Sequence, residues 1–441
     1  MGGHDVNRRE TLTACVAVAT TLTGCISTES TGETVTNRGS GTTEGTEPTG
    51  ETAEATDWPA AFGTAGNTCF STDSGPTDGT VKWTFSREEL QPRAPCMADG
   101  TVYAVSTVGE PGSEQMRVFA LDVATGDLRW EQTVYDYGPL GRWSSAPTVA
   151  DGIVYVVTDD SYLDGTGLVA LDTADGEILW NLSGAAGAHY GGPVALDGRI
   201  HTITEPSDGE SALRAFEPDG SLAWENPLAE QALSAYGIAG GANSLAVTDV
   251  TGVYGLDMAT GETRWEIPSD DFENRIQLPP VVAGNTVFVA TGATSMTRER
   301  TELDSTYRLY GLDIANGSQR WQTSMSNGDE PAAPAGPLAV ADDAVFVVQA
   351  PISDGSHELV AYERASGTVR SRQALSFVPN LTSPTFAGGE VYVPAEFGIV
   401  TEDGTLAESL ELSAAQQTNW GLPVFDGQAA VVTREGITLL Q

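Results

Sequence analysis

Lysine is nearly absent from this sequence, because Lys82 is the one lysine among 441 residues. Lysine and arginine together number 21 against 61 aspartates and glutamates, so the formal net charge is -40. A surface this acidic repels nucleic acid phosphates and anionic lipid headgroups, which excludes nucleic acid as a partner. The loss of lysine favours adaptation to molar salt, where the Debye length falls to about 3 Å and self-repulsion is screened. An acidic protein of ordinary salt is the alternative.

Cysteine and histidine are also scarce, with four residues of each. The histidines are His4, His189, His201 and His357. Their spacing matches no metal motif, so we expect no metal site. Cys15 and Cys25 lie in or beside an N-terminal targeting segment, which leaves Cys69 and Cys96 as one possible pair. In an exported protein these two residues either form a disulfide or remain buried thiols, and the sequence leaves both open.

The common signatures of enzymes are missing as well. The sequence contains no Gly-x-Ser-x-Gly, no His-Glu-x-x-His and no phosphate-binding loop. We therefore predict no catalytic residue. A non-catalytic role is favoured, although enzymatic activity stays open.

Residues 1–25 are predicted to be an export signal. Arg8-Arg9-Glu10-Thr11-Leu12 resembles a twin-arginine signal, and the apolar run that follows is too short and too polar to span a bilayer. Leu22-Thr23-Gly24-Cys25 resembles a lipobox, in which Cys25 is lipidated and holds the protein at the outer face of the cytoplasmic membrane. Together they resemble the exported lipoproteins of salt-adapted archaea; an ordinary cleaved signal is the alternative. Residues 26–57, rich in Thr, Glu, Gly and Ser, are predicted to be a disordered tether because they cannot bury enough apolar surface to offset ordering entropy.

A short cassette recurs through the rest of the chain. Its copies include ALDVATGDLRW at 120–130, ALDTADGEILW at 170–180, AFEPDGSLAW at 215–224, GLDMATGETRW at 255–265 and GLDIANGSQRW at 311–321. Each copy reads as two strands joined by a tight turn that contains Gly. Copies without the tryptophan occur at 361–367 and 399–404. A repeat of roughly 40 to 55 residues predicts an array of small sheets, which makes residues 58–441 an all-β propeller.

The strand count predicts an eight-bladed β-propeller closed by its N- and C-terminal strands. Val81 to Phe85 matches the return strand of a cassette and has no partners before it, whereas Val424 to Val432 and Gly436 to Leu440 have no return strand after them. We expect these strands to share one blade, because an unpaired edge invites aggregation. Seven blades is the alternative, if the weak cassette near 399–410 is only a loop.

The cassette resembles the tryptophan-docking repeat of the PQQ-like propeller superfamily. The resemblance implies that each tryptophan packs between neighbouring blades. These residues are Trp83, Trp130, Trp180, Trp224, Trp265 and Trp321. The superfamily includes the quinoprotein alcohol dehydrogenases and the lipid-anchored scaffold of the bacterial outer-membrane assembly machine. This chain has no adjacent cysteine pair of the kind that packs on the quinone, so we expect no cofactor, with PQQ and calcium as the alternative.

Aromatic, arginine and asparagine residues collect in the predicted blade-to-blade connections. The candidate residues are Arg93, Arg142, Trp143, His189, Tyr190, Tyr236, Arg275, Asn380, Asn419 and Trp420. Aromatic and arginine side chains are favoured in interaction surfaces. The face of the propeller that carries these connections is therefore predicted to bind a protein partner at the membrane surface. They equally fit side chains that close the central channel, or a site for a small anion or carbohydrate. Asn181, Asn316 and Asn380 lie in glycosylation patterns, and the sequence does not indicate an oligomeric state.

Overall fold

Short β-strands make up almost all of the regular structure, and the described helical residues are limited to one 3-10 turn at Ser269–Asp271. The computed structural model describes residues 57–76, 80–87, 90–109, 113–138, 143–159, 167–183, 192–204, 212–227, 237–249, 251–272, 276, 278–292, 306–328, 330–351, 356–375, 383–395, 398–400, 422–433 and 436–441. All of them belong to one compact unit, Gly50–Gln441. The predicted export signal, its Cys25 and nearly all of the tether lie outside these residues. No described helix has the length and hydropathy needed to cross a membrane.

Six blades are built from strands that follow one another in the sequence. Two strands come first, β1 (Phe70–Ser71) and β2 (Val81–Phe85). Blade 1 contains β3 (Gln91–Pro92), β4 (Cys96–Ala98), β5 (Thr101–Val108), β6 (Glu114–Asp122) and β7 (Leu128–Gly138). Blade 2 contains β8 (Trp143–Ser144), β9 (Thr148–Ala150), β10 (Ile153–Asp159), β11 (Gly167–Asp172) and β12 (Ile178–Ser183). Blade 3 contains β13 (Val194–Leu196), β14 (Arg199–Thr204), β15 (Ala212–Phe216) and β16 (Leu222–Pro227).

Blades 4 to 6 repeat this antiparallel order. Blade 4 contains β17 (Gly237–Gly241), β18 (Ser244–Thr248), β19 (Gly252–Asp257) and β20 (Thr263–Pro268). Blade 5 contains β21 (Val281–Ala283), β22 (Thr286–Ala290), β23 (Tyr307–Asp313) and β24 (Gln319–Asn327). Blade 6 contains β25 (Glu330–Pro334), β26 (Ala339–Val340), β27 (Ala344–Pro351), β28 (His357–Glu363) and β29 (Val369–Leu375). Blades 5 and 6 form one continuous sheet, because Ser326 of β24 pairs with Pro331 of β25.

Two further sheets combine strands from both ends of the described region. The first contains β30 (Thr385–Ala387), β31 (Glu390–Ala395) and β32 (Gly398–Val400), with β1 added in parallel to β30. The second contains β33 (Val424–Phe425), β34 (Gln428–Thr433) and β35 (Gly436–Leu440). Here β2 pairs antiparallel with β35, with Val81 opposite Leu440 and Phe85 opposite Ile437.

The expected count of eight blades, and the alternative of seven, are both corrected to six blades built from consecutive strands. The two remaining sheets each depend on a strand from the N-terminal part of the chain. The return strand that was expected at 406–410 lies outside the described residues. The pairing of blades 5 and 6 also shows why a count of cassettes overstates the number of separate sheets.

Apolar strands explain why the blades pack face to face. The second strand of each blade is rich in β-branched residues and is almost fully buried, as in β5, β10 and β27. β-Branched side chains suit a pleated surface that is covered on both sides. The outermost strands alternate between exposed and covered residues, as in β12, β16 and β20. The outermost strands therefore form the rim of the propeller.

Each of the six cassette-type tryptophans reaches the turn of the following blade along the chain. The indole nitrogens donate hydrogen bonds to carbonyl oxygens as follows: Trp83 to Val123 (3.0 Å), Trp130 to Thr173 (2.9 Å), Trp180 to Pro218 (2.8 Å), Trp224 to Met258 (3.0 Å), Trp265 to Ile314 (2.8 Å) and Trp321 to Arg364 (3.0 Å). Beneath each ring lies a turn glycine with positive φ: Gly126, Gly176, Gly220, Gly261, Gly317 and Gly367. A Cβ on Gly261 would lie 2.3 Å from the Trp224 ring, so the docked indole and a side chain exclude each other.

Candidate functional site

The two faces of the propeller are built differently. Tight turns join the innermost strand of a blade to the next strand along the chain. Examples are Asp99-Gly100 between β4 and β5 and Asp151-Gly152 between β9 and β10, where both residues have positive φ. The cassette turns lie beside them, since Val123 donates its N–H to the Gly100 carbonyl at 3.1 Å and Thr173 donates to Gly152 at 3.0 Å. We call this side the tight-turn face. The second-to-third loops and the blade connections leave from the opposite side, the loop face, because adjacent strands run antiparallel.

Two of the residues predicted for the binding face are described, and both lie toward the loop face. The N–H of Arg93 donates to the Val105 carbonyl at 2.8 Å, near the end of β5 that is remote from the Asp99-Gly100 turn. Trp143 pairs with Asp159 at the corresponding end of β10. The other predicted residues lie outside the described part of the chain: Arg142, His189, Tyr190, Tyr236, Arg275, Asn380, Asn419 and Trp420. Whether these side chains converge with Arg93 and Trp143 stays a prediction.

A segment that the sequence did not identify as part of a site fills the propeller axis. Residues 57–76, here called the central segment, contact the innermost strands of successive sheets. Trp58 forms a two-way backbone pair with Met97 of blade 1 at 2.7 and 2.8 Å. Other carbonyls of the central segment accept backbone hydrogen bonds from further sheets: Pro59 from Val149, Ala65 from Gly240, Gly66 from Val282, Thr68 from Val340, Cys69 from Phe386 and Ser74 from Gly427, all at 2.8 to 2.9 Å.

Several residues of the central segment are fully buried, whereas Thr72 and Ser74 near its end are exposed. Trp58, Phe62 and Cys69 are at most 1% exposed and belong to the largest apolar cluster among the described residues. Asn67 adopts a positive φ of 56° and donates its side-chain amide to the carbonyls of Ile238 (2.7 Å) and Pro280 (3.2 Å). These two acceptors lie in blade 4 and just before blade 5. The side chain therefore links two blades at the axis.

Both ends of the central segment lie at the tight-turn face. The Asp57 carboxylate accepts the N–H of Asp99 at 3.1 Å, and Ser74 accepts the N–H of Gly427 in the turn between β33 and β34. The segment thus enters and leaves on the same side and occupies the axis there. Approach of a ligand or partner from the loop face stays a prediction, because most of the connections there lie outside the described residues.

The two cysteines in the described region are free thiols. Cys69 belongs to the central segment and Cys96 begins β4, and both are buried. Burial raises the pKa of the Cys69 thiol to about 12 and also raises the pKa of Cys96. A thiol that stays protonated is a poor nucleophile and a poor metal ligand. Of the two alternatives that the sequence left open, the structure therefore has the thiols and not the disulfide.

His201 is buried within blade 3 and serves packing. Its Nδ1 lies 3.2 Å from the Val194 carbonyl, and its ring packs against Trp224 with centroids 5.6 Å apart. Tyr103 and Tyr155 contact Trp130 and Trp180 in the same way in blades 1 and 2. Burial lowers the pKa of His201 to about 4, so the ring is neutral near pH 7. Within the described residues no group of three or more His, Cys, Asp or Glu side chains is placed to hold a metal ion.

Comparison with known proteins gives the family. The sequence model described as outer membrane protein assembly factor BamB matches residues 71–198, 209–333 and 305–435. The protein of that name from Moranella endobia (strain PCIT) is 23% identical over 346 residues, which are 77% of this chain and 70% of that protein.

Solved structures give the fold. BamB from Moraxella catarrhalis has a TM-score of 0.54 at 15% identity, covering 82% of this chain and 96% of that one. A europium-containing methanol dehydrogenase has a TM-score of 0.56 at 13% identity, covering 88% of this chain and 91% of that one. At such identities the structural likeness shows the propeller fold and nothing about activity. The family match extends over nearly all the strands described above, and on that ground the chain belongs to the outer membrane protein assembly factor BamB family.

Proposed function

We propose that this protein is an exported, lipid-anchored propeller that binds a protein partner as a scaffold and catalyses no reaction. Membership of a family described as an assembly factor carries this proposal. Its finer parts come from the sequence: lipid on Cys25, a tether over 26–57, a place at the outer face of the cytoplasmic membrane, and a salt-adapted archaeal source. A lipid anchor holds the protein at the membrane despite its charge of -40.

The structure supports the loop face as the partner surface. The central segment fills the axis at the tight-turn face, where the turns are too short to form a concave site. Arg93 and Trp143 lie toward the loop face, and the longer connections leave from it. Rigid scaffolds commonly carry their binding residues on such connections.

The described residues do not fit a quinone site. Cys69 lies in the central segment and Cys96 in β4, 27 positions later in the sequence, so these two buried thiols are not the adjacent pair expected to pack on the ring. The described carboxylates form no cluster that would hold calcium beside it. The likeness to methanol dehydrogenase is one of fold alone. The alternative of a small anion or carbohydrate depends on Arg142 and Arg275, which lie outside the described residues.

The direct test is the mass of the native protein, with any bound partner, after extraction from the membrane. The full-length protein is extracted from its own membranes in mild detergent and molar KCl, and its mass is measured by light scattering after size exclusion. A protein that holds a partner is expected to have a measured mass well above the 46.1 kDa of the chain alone. The double variant Arg93→Ala, Trp143→Ala is expected to release the partner. Cys25→Ala is the control for the anchor and should move the protein from the membrane fraction to the medium.

A titration with PQQ and calcium, followed by tryptophan fluorescence, separates the enzyme alternative. Saturable quenching that the loop-face variants weaken would contradict the scaffold proposal. If the wild-type protein binds neither a partner nor the quinone, the scaffold proposal has no support.

A further inference from the structure

One ion pair recurs along the rim of the propeller. In blades 1 and 5 the arginine before the docked tryptophan pairs with the cassette aspartate, Arg129 with Asp122 and Arg320 with Asp313, both at 2.7 Å. Blade 4 has the same pair, Arg264 with Asp257. Blades 3 and 6 hold variants of it, Arg199 with Glu217 at 2.9 Å and Arg370 with Asp343 at 2.8 Å.

Blade 2 departs from this pattern. Leu179 occupies the arginine position and is 46% exposed, and the preceding Ile178 is 36% exposed. Ile153 stands where Thr101 accepts a hydrogen bond from Arg129 in blade 1. The cassette carboxylate Asp172 accepts the N–H of Ala174 at 2.7 Å, and no described cation pairs with it. Apolar side chains have therefore replaced a charged contact at the solvent boundary.

The outer edge of blade 2 is also uncharged. Among the seven described strands at the return position of a cassette, β12 alone contains no charged residue, whereas β7, β16, β20, β24, β29 and β2 each contain at least one. β12 ends its sheet, so its outer backbone groups have no strand beside them in the described region. Proteins normally protect such an edge with charged side chains. An exposed edge without them is a template for another strand.

The apolar surface continues into blade 3 and has an acidic border. The Trp180 indole donates to the Pro218 carbonyl at 2.8 Å, which brings β12 close to the turn that precedes Leu222. Leu222 is 53% exposed. Asp175, Glu177 and Asp219 lie in the two turns beside this surface, and none of them is ion-paired within the described residues.

We infer that the outer edge of β12, with Leu179 and Leu222, is a docking site for an extended segment of a partner protein that adds to blade 2 as a further strand. The segment would carry apolar side chains at alternate positions and basic residues toward Asp172 and Asp175. Local charge complementarity favours this occupant over a second copy of the chain, because the carboxylates of Asp175, Glu177 and Asp219 border the surface without ion pairs in the described residues and would contact basic side chains directly. The inference rests on the proposed scaffold function and gives it a second surface, distinct from the loop face.

The test uses the full-length protein and a synthetic peptide. The probe is a labelled, capped decapeptide in which valine alternates with arginine and threonine; a peptide with glutamate in place of arginine is its control. Binding is followed by fluorescence anisotropy in the lowest KCl concentration that keeps the protein folded. We expect saturable binding of the basic peptide and about tenfold or greater weakening in Leu179→Arg, a loss typical of a central interface residue.

Leu179→Arg recreates the pattern of blades 1, 4 and 5, since it places an arginine opposite Asp172, and near-ultraviolet circular dichroism checks that it folds. Leu179→Gln is a second variant with the same expected loss. Arg264→Leu in blade 4 is the matched control, because it removes an arginine from another rim strand that keeps Glu266, and it should leave binding unchanged.

Each contrary result has a definite meaning. Equal affinity of wild type and Leu179→Arg, or no binding at all, overturns the inference. A dimer that sediments in wild type and dissociates in Leu179→Arg replaces the partner segment with a second copy. A sugar on Asn181 in the intact mass of the native protein overturns it too, because the sugar would cover the edge. If the native complex survives Leu179→Arg but is lost in Trp143→Ala, the scaffold function stands and the β12 site falls.

Discussion

Replacing Gly261 with alanine measures how much an indole dock stabilises the propeller. Gly261 has φ of +73°, and an alanine Cβ there would lie 2.3 Å from the Trp224 ring. The backbone cost of alanine in this region is about 1–2 kcal/mol. Displacing a packed ring adds about 1–3 kcal/mol. Breaking the 3.0 Å hydrogen bond from Trp224 to the Met258 carbonyl adds about 1 kcal/mol.

Gly198→Ala is the matched control for the backbone cost. Gly198 has φ of +70° but nothing within 4 Å of its Cβ position, so its substitution meets the strain without the collision. The free energy of unfolding should therefore fall by about 2–4 kcal/mol more in Gly261→Ala than in Gly198→Ala. Urea unfolding in molar KCl, followed by tryptophan fluorescence, gives both values.

A double-mutant cycle closes the argument. In a Trp224→Ala background the ring is gone, so Gly261→Ala should cost about as much as Gly198→Ala. Equal losses in the two glycine variants with Trp224 present, within about 0.5 kcal/mol, would refute the reasoning, because the dock would then contribute no packing energy.

Three further predictions concern buried polar groups. The pKa of His201 is about 4 in the folded state and about 6.5 when unfolded, so the unfolded chain takes up the proton first as pH falls. Up to about 3 kcal/mol of the free energy of unfolding should therefore be lost between pH 6.5 and pH 4, and less should be lost in His201→Phe. Thermal unfolding of both proteins across that pH range measures the difference. Iodoacetamide should label Cys69 and Cys96 in unreduced protein only after unfolding; a thiol that stays unlabelled when unfolded would indicate a disulfide. Asn67→Gly should reduce the free energy of unfolding by about 1–3 kcal/mol while keeping the backbone angle, and Asn67→Ala should reduce it further.

The repeat was predictable because its signal is local. A tryptophan, a turn glycine and alternating apolar residues recur within about ten positions, and the resemblance to the tryptophan-docking repeat implied the indole contacts between blades. The antiparallel pairing of Val81–Phe85 with Gly436–Leu440 was also predictable, because each strand lacked partners near it in sequence. The blade count failed where the cassette weakens, in the two sheets that combine strands from both ends of the described region.

The central segment and the β12 edge show two limits of sequence reasoning. The segment binds through its own backbone carbonyls, which any residue supplies, so no side-chain pattern marks it; Asn67 is exceptional only because its amide spans two blades. The β12 edge left a visible signal, since Leu179 stands where the cassettes of blades 1, 4 and 5 have arginine. That signal acquires meaning only once the ion pair of Arg129 and Asp122 is seen. The loop-face residues lie in variable connections, where no periodicity constrains their positions.

The sheet that β2 shares with β35 can form only late in the synthesis of the chain. Thr84 and Thr438 are hydrogen-bonded partners although they stand 354 residues apart in the chain. β35 leaves the ribosome after every other described strand, so β2 waits with an open edge throughout synthesis. A chain interrupted anywhere before β35 would keep that edge and could pair with a neighbour instead. Synthesis of β35, rather than the formation of any single blade, is thus the step that closes the edge of β2.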